Sequence, residues 1–270
     1  MRVKTIKDTR SLTLMFALPK TLHYYKSQPL GMLGFLLGHE GKGSLLSLLK
    51  RKNLATGLSA GGGESNNSFS SFEVEIKLTS KGLRNYKKII QNVFQYLSLL
   101  RKSGLPHYVF NEVKRMSEID YRFAEKPEGT SLVNVFSTLM MYYPFRTVEI
   151  APYMVTDFKP RIFDNMLYSL TPNNMLTVLA ARDVKTSMKE EFYGVEYELS
   201  YTDPELVNRW RNPKTNNTLR LPESNIFRSL ARHAQSTISS SLSPSRFTIR
   251  IQAMRKKHVK INHCWSQTLK

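Results

Sequence analysis

The sequence of 270 residues contains a single cysteine, Cys264, and this scarcity excludes several kinds of site. One cysteine cannot form an intrachain disulfide, and a cysteine-based metal site cannot exist in the main body of the chain. Long hydrophobic runs are also missing, because the apolar stretch over residues 30–37 is short and broken by glycines. The basic N-terminus is not followed by an apolar core with a small-residue cleavage site, so we predict no signal peptide. As it stands, the chain is expected to be cytoplasmic, with no membrane among its partners.

Acidic residues are also few, with 21 Asp and Glu against 40 Lys and Arg and a formal net charge of +19. From Arg228 onward nine residues are basic and none is acidic, so the preceding part carries +10. A basic balance is typical of proteins that bind nucleic acid, anionic membranes or acidic peptides. Here the basic residues are scattered among acids without an arginine-rich stripe, which disfavours nucleic acid as a partner. A stand-alone basic protein that binds nucleic acid or acidic surfaces remains the alternative function.

What is present is a mixed pattern of strands and helices, with 41% hydrophobic residues to supply a core. Residues 12–18 and 72–78 alternate apolar and polar side chains, which predicts strands with one face on the core. Residues 54–59 are predicted to pair with 72–78 as an antiparallel hairpin, ending at the glycines of residues 61–63. Residues 175–181 are almost continuously apolar and predict a central strand. A sheet with helices on one side, the α+β class, is the economical architecture.

Apolar residues at helical spacing predict several helices between these strands. Ser44 is a plausible cap for a short helix, and Ser80 is predicted to cap a long helix that ends at Gly104. The helix that follows is expected to turn a row of apolar side chains inward, namely Val109, Val113, Met116, Ile119 and Phe123.

The C-terminal part of the chain changes in character. Residues 236–245 are rich in serine, and the residues after them are dominated by basic side chains. Such a composition cannot supply a core. We therefore predict one large domain over residues 1–225 and a disordered tail over residues 226–270.

Residues 37–46, Leu-Gly-His-Glu-Gly-Lys-Gly-Ser-Leu-Leu, are the most specific of several segments that point to one protein family. The other segments follow along the chain at residues 7–12, 24–29, 94–97, 109–112, 121–123, 192–197 and 219–222. Together they resemble the second, non-catalytic domain of the pitrilysin and insulin-degrading zinc metallopeptidases, over about residues 5–225. The resemblance implies an α/β roll, in which helices cover one face of a curved, largely antiparallel sheet.

The resemblance also implies that complete enzymes hold four such domains, in two halves that close around a chamber for small unfolded peptides. Only the first domain of this family carries zinc, through an inverted His-x-x-Glu-His helix motif and a downstream glutamate. Here His39 and Glu40 are adjacent, and the positions four residues from His39 are Phe35 and Gly43, so no histidine pair can face one metal ion. We therefore predict no catalytic residue, no metal ligand and no cofactor in this chain. Zinc would belong to the catalytic domain of a parent hydrolase, and whether this chain is itself part of an enzyme stays open.

In the family, positions that match Gly38, Leu58, Ser59, Ala60 and Gly61 form an exosite that anchors the N-terminal end of the substrate. A peptide can add a strand to a sheet edge through main-chain hydrogen bonds, which tolerates many sequences. Small residues let the peptide backbone approach, and Ala60 stands where the family motif usually has glycine. For the neighbouring pair, His39 is expected to be a structural hydrogen-bonding residue. Glu40 would either bind a substrate amino terminus or cap a turn.

The favoured function is a non-catalytic domain that supplies the chamber wall and exosite of a zinc metalloendopeptidase. Its partners would be peptide substrates and the catalytic and C-terminal domains of the parent enzyme. The chain begins close to the first strand of the domain, and its tail departs from the family pattern. We therefore expect a reading frame split from a longer protease gene. Upstream DNA without a zinc-domain coding sequence would contradict this expectation.

Overall fold

The computed structural model describes residues 1–125 and 128–224, and the tail predicted for residues 226–270 lies outside them. One compact unit, Met1–Pro222, contains the sheet and the helices that pack on it. The strands are β1 Arg2–Lys4, β2 Ser11–Pro19, β3 Ala55–Ser65, β4 Phe69–Leu78, β5 Met175–Ala181, β6 Met188–Lys189 and β7 Glu196–Glu198. The α-helices are α1 Pro29–Gly38, α2 Leu45–Arg51, α3 Ser80–Arg84, α4 Tyr86–Ser103, α5 His107–Phe123, α6 Gly129–Met140, α7 Pro160–Ser169 and α8 Pro204–Arg211.

The strands form one sheet in the order β3-β4-β2-β5-β1-β7-β6. Strands β1 and β5 pair in parallel, and the other neighbouring pairs are antiparallel. The predicted α+β class and largely antiparallel sheet are therefore confirmed. Strand β5 is fourth of the seven, as its continuous apolar run predicts.

Alternation along the strands gives the sheet one buried and one open face. In β2, Leu12, Leu14 and Phe16 are fully buried, whereas Thr13 and Met15 between them are half-buried. Helices cover the buried face, with α1 packed against β3 and α7 packed against α1 and β2. On the other face, Thr13 and Met15 of β2 are half-buried and Glu75 and Lys77 of β4 are exposed within the described residues.

Aromatic side chains join the sheet to the helical layer. The Phe94 ring of α4 meets Phe16 of β2 edge-on, with 6.4 Å between ring centroids. The other neighbour of Phe94 is Trp210 of α8, which stacks on it at 6.3 Å. These ring contacts connect the sheet to α4 and α4 to α8. The helix α8 is therefore part of the same hydrophobic core as β2.

Two predicted boundaries in the first half of the chain are wrong. Strand β3 does not end at the glycines of residues 61–63 but continues through them to Ser65, because the strand remains paired with β4. The residue that caps the next helix is Thr79 rather than Ser80, since its hydroxyl accepts a hydrogen bond of 2.9 Å from the Gly82 N–H. That helix is the short α3, and the long helix starts afresh at Tyr86.

The inward face predicted for α5 is only half correct. Val109 and Val113 are buried, but Met116, Ile119 and Phe123 are 38%, 54% and 75% exposed. Their spacing does place them on one side of the helix, yet the described part of the chain does not cover that side. Despite such apolar stretches, no helix within the described ranges is long and apolar enough to cross a membrane.

Candidate functional site

The outer edge of β3 is the place where the predicted exosite residues meet. Strand β3 is first in the sheet order and pairs with β4 through Ser59 opposite Glu75, Ala60 opposite Val74 and Gly61 opposite Glu73. On its other side, no strand among the described residues is paired with it. A free strand edge presents backbone N–H and C=O groups that an extended peptide can pair with. We call residues 58–61 together with Gly38 the edge site.

Successive residues of the edge site point to opposite faces of the sheet. Leu58 is only 9% exposed and belongs to the core, and Ala60 packs against the core from the same side. Ser59 is exposed, and a Cβ atom added to Gly61 would meet nothing within 4 Å. Leu58 can therefore contact a ligand only through its backbone, whereas Ser59 and Gly61 leave the open face bare.

Helix α1 supports the edge site through two glycines one turn apart. A Cβ atom on Gly34 would lie 2.7 Å from the carbonyl oxygen of Ala60, which is closer than real Cβ atoms approach. A Cβ atom on Gly38 would lie 3.8 Å from the backbone nitrogen of Ala60, which is ordinary contact. The structure thus places Gly38 beside Ala60, and their binding of a substrate stays a prediction. The tighter contact is made by Gly34, which the spacing of glycines four apart in an apolar helix could have indicated.

His39 and Glu40 diverge, as adjacent residues at the end of a helix should. The half-buried His39 ring lies against Gly41 and faces Phe35, with 6.4 Å between ring centroids. The exposed Glu40 carboxylate forms an ion pair of 3.4 Å with Lys50. The binding of a substrate amino terminus by Glu40 therefore stays a prediction, and the side chain pairs with a neighbouring lysine on the surface.

The loop between α1 and α2 is held where it enters α2. Gly43 has φ +85°, a left-handed conformation that favours glycine, and its carbonyl oxygen accepts a bond of 2.9 Å from the Arg220 N–H. The predicted cap is confirmed, because the Ser44 hydroxyl oxygen accepts a bond of 3.1 Å from the Ser47 N–H. These bonds fix the end of the loop that connects the edge site to α2.

The donor set around His39 does not fit zinc. Across residues 1–125 and 128–224, no three His, Cys, Asp or Glu side chains are grouped closely enough to hold a metal ion. His39 packs against Phe35 and Glu40 is paired with Lys50, so the two side chains share no common position for an ion.

Two glutamates of β4 adjoin the edge site, and the sequence prediction did not include them. Glu73 and Glu75 are register partners of Gly61 and Ser59, and they lie on the same open face. The Glu73 carboxylate lies against Gly63. The alternation of Glu73, Glu75 and Lys77 with buried residues was visible in the sequence. Their position beside the edge site required the pairing of β3 with β4.

Two family models match successive parts of the chain. Residues 2–117 match the model described as the peptidase M16 inactive domain. Residues 121–260 match the model described as the middle or third domain of peptidase M16.

Known proteins of the same kind are also similar to most of the chain. Insulin-degrading enzyme of Drosophila melanogaster is 34% identical over 229 residues, covering 84% of this chain and 23% of that protein. The human insulin-degrading enzyme is also 34% identical, over 228 residues and 22% of its length. Human nardilysin is 30% identical over 233 residues and 20% of its length. The chain thus spans less than a quarter of each of these relatives.

Solved structures share the fold. The crystal structure of pitrilysin matches with a TM-score of 0.77 at 20% identity, covering 84% of this chain and 24% of that one. The inactive peptidase domain of a putative zinc protease from Bordetella parapertussis matches with a TM-score of 0.53 at 14% identity, covering 68% of this chain and 97% of that domain.

Proposed function

The chain belongs to the M16 peptidase family, and we propose that it is a non-catalytic, substrate-binding domain of such a peptidase. In this role it supplies part of the chamber wall and an exosite for small unfolded peptides. Cleavage is carried out by a zinc-bearing catalytic domain elsewhere. That domain and the C-terminal domains of the parent enzyme are its protein partners, and unfolded peptides are its ligands.

The free edge of β3 is the observation that carries this proposal. The backbone of residues 58–61 is paired with β4 on one side only, and Ser59 and Gly61 leave room on the open face. A peptide that adds a strand here is held by main-chain hydrogen bonds, which do not depend on its side chains. This mode of binding suits a domain that must hold many different peptides.

Two observations support the proposal that the chain is non-catalytic. Among the described residues, no His, Cys, Asp and Glu side chains assemble as zinc ligands, and residues 2–117 match an inactive domain. The relatives described above are peptidases much longer than this chain. The alternative of a stand-alone protein for nucleic acid or acidic surfaces gains no support from these matches.

Peptide binding by an edge variant tests the proposal. The experiment measures fluorescence anisotropy of a labelled unfolded peptide with the whole 270-residue chain and with Gly61→Trp. The indole fits the fold because Gly61 has open space, but it would stand on the open face beside the side chain of the peptide residue paired with it. We expect a loss of affinity of about tenfold or more, since this crowding would hinder the peptide from pairing with β3. The matched control is Leu176→Trp, at an exposed site on β5 three strands away, which should bind as the unchanged chain does.

Methylated peptides test the binding mode. N-methylation of alternate backbone amides removes hydrogen-bond donors from one edge of an extended peptide and leaves its side chains unchanged. We expect one of the two alternating methylation patterns to abolish binding and the other to preserve it. Equal binding of both patterns, or full binding by Gly61→Trp, would contradict strand addition at β3.

A further inference from the structure

The open face beside the edge site carries a local acidic charge, although the chain as a whole is strongly basic. We infer that the edge site prefers peptides with a Lys or Arg side chain at the residue paired with Gly61, and that Glu73 and Glu75 determine this preference. The inference rests on the proposed function, because it concerns the peptide that the β3 edge would hold.

Glycine in β3 is what exposes these carboxylates to the edge. Glu73 and Glu75 lie one strand behind, opposite Gly61 and Ser59. Residues 59, 61 and 63 of β3 share the open face with them, and none of these has a side chain larger than that of serine. The Glu73 carboxylate lies against Gly63, in the space that a side chain at that position would take. A larger residue at these positions would separate the carboxylates from a peptide.

The distance suits a long cationic side chain. Neighbouring strands lie about 4.8 Å apart, so an added peptide strand would run about 10 Å from β4. Side chains of directly opposed residues project from the same face of the sheet. A Lys or Arg paired with Gly61 would therefore point along the open face, and its flexible stem can extend back over the glycine to Glu73.

The surroundings leave the two carboxylates available. No described residue forms an ion pair with Glu73 or Glu75. On the β2 side, their register partners Met15 and Thr13 are uncharged. Lys77 is the cation on this face of β4, and it lies at the far end, beside Gly57. The charge next to Gly61 is therefore negative.

A peptide series tests the preference on the unchanged chain. Three labelled peptides of one length and one apolar pattern carry Lys, Gln or Glu at alternate positions, and their Kd values are measured at low and high salt. We expect the Lys peptide to bind about three- to tenfold tighter than the Gln peptide, and the Glu peptide to bind weakest. The differences should shrink at high salt, since these charges are exposed.

Paired variants assign the preference to named residues. Glu73→Gln with Glu75→Gln should bring the Lys and Gln peptides to the same Kd. The control, Glu118→Gln with Asp120→Asn, removes the same charge from an exposed part of α5 and should keep the preference.

The outcomes separate the preference from the edge site itself. Equal binding of the three peptides, with loss of binding in Gly61→Trp, would overturn the charge preference and leave the edge site standing. A preference that survives in the glutamine pair would overturn the role of Glu73 and Glu75. If none of the peptides binds, or if Gly61→Trp has no effect on binding, the proposed function fails.

Discussion

The hydroxyl of Tyr96 donates a hydrogen bond of 3.0 Å to the carbonyl oxygen of Leu36 inside the core. Leu36 lies in the last turn of α1, where helix carbonyls have no partner within the helix. Burial raises the pKa of the Tyr96 hydroxyl, so it stays protonated as a donor. This bond ties α4 to the end of α1, two residues before Gly38 of the edge site.

Removing that hydroxyl should destabilise the fold. Tyr96→Phe leaves the Leu36 carbonyl without its partner, which we expect to lower the free energy of unfolding by about 1–3 kcal/mol. The measurement is urea denaturation followed by circular dichroism. Tyr201→Phe is the control, because Tyr201 is fully exposed and its loss should change the midpoint little. Equal midpoints for the two variants would show that the bond contributes nothing.

Two glycines of α1 should respond in opposite ways to alanine. A methyl group on Gly34 would be forced against the Ala60 carbonyl oxygen, so Gly34→Ala should cost about 1–3 kcal/mol. Gly31 is exposed, and a methyl group there would meet only the Gln28 side chain, with 3.3 Å to its Oε1 atom. Gly31→Ala should therefore be neutral or raise stability by up to about 1 kcal/mol. Thermal denaturation of both variants checks the sign, and a stable Gly34→Ala would refute the close approach of α1 to β3.

The uncovered face of α5 predicts self-association. Met116, Ile119 and Phe123 place three apolar side chains at the surface, and exposed apolar patches mark contact sites or aggregation liabilities. Ile119→Lys with Phe123→Lys should reduce the apparent mass in concentrated solution, measured by light scattering, without lowering the melting temperature. The buried Val113 supplies the contrast, since Val113→Lys should unfold the chain. Unchanged association in the double variant would exclude this face as its cause.

The turn between β6 and β7 should loosen in acid. Its anchor is the Glu190 carboxylate, which accepts N–H bonds of 2.8 Å from Phe192 and 2.6 Å from Tyr193. These bonds, that from Phe192 first, lower the pKa of Glu190 below its usual 4.5. Because the folded-state pKa lies below the unfolded value, the stabilisation is complete above pH 4.5 and is lost as pH falls through the folded-state pKa.

Amide exchange at this turn measures the effect. We expect the Phe192 and Tyr193 amides to lose protection as pH falls below 4.5, after correction for intrinsic rates. Glu190→Gln should reduce protection at neutral pH and remove its pH dependence, whereas Glu191→Gln should behave as the unchanged chain does. Protection that is independent of pH in the unchanged chain would contradict the role of Glu190.

The strands show which structural features the local sequence pattern can predict. Residues 12–18 and 72–78 were predictable because period-two alternation is imposed by the strand itself. The end of β3 was not, because glycine weakens a strand locally while the ladder from Gly61 and Gly62 to β4 continues it. Local pattern therefore predicts the alternating strands but not the full length of the edge strand.

In the helices, too, local pattern predicts some features, and contacts between distant parts of the chain decide others. Periodicity identified the apolar side of α5, but it could not say whether another element covers that side. The start of α4 was not predictable either, because the short helix α3 comes before it. Thr79 caps α3, and α3 packs so close to Leu54 that a Cβ atom on Gly82 would overlap the Leu54 carbonyl oxygen. That contact between distant parts of the chain has no local signature.

The order of residues along the chain was enough to predict an α+β fold, and to show that His39 has no histidine partner four residues away. Those conclusions follow from alternation and spacing, which are properties of neighbouring residues, whereas the family was indicated by the resemblance of whole segments. Three-dimensional packing was needed to show that Gly38 abuts Ala60, that the Leu58 side chain is buried, and that Glu73 and Glu75 lie behind a bare stretch of β3. These relationships depend on strand order and register, which pairing between distant segments fixes.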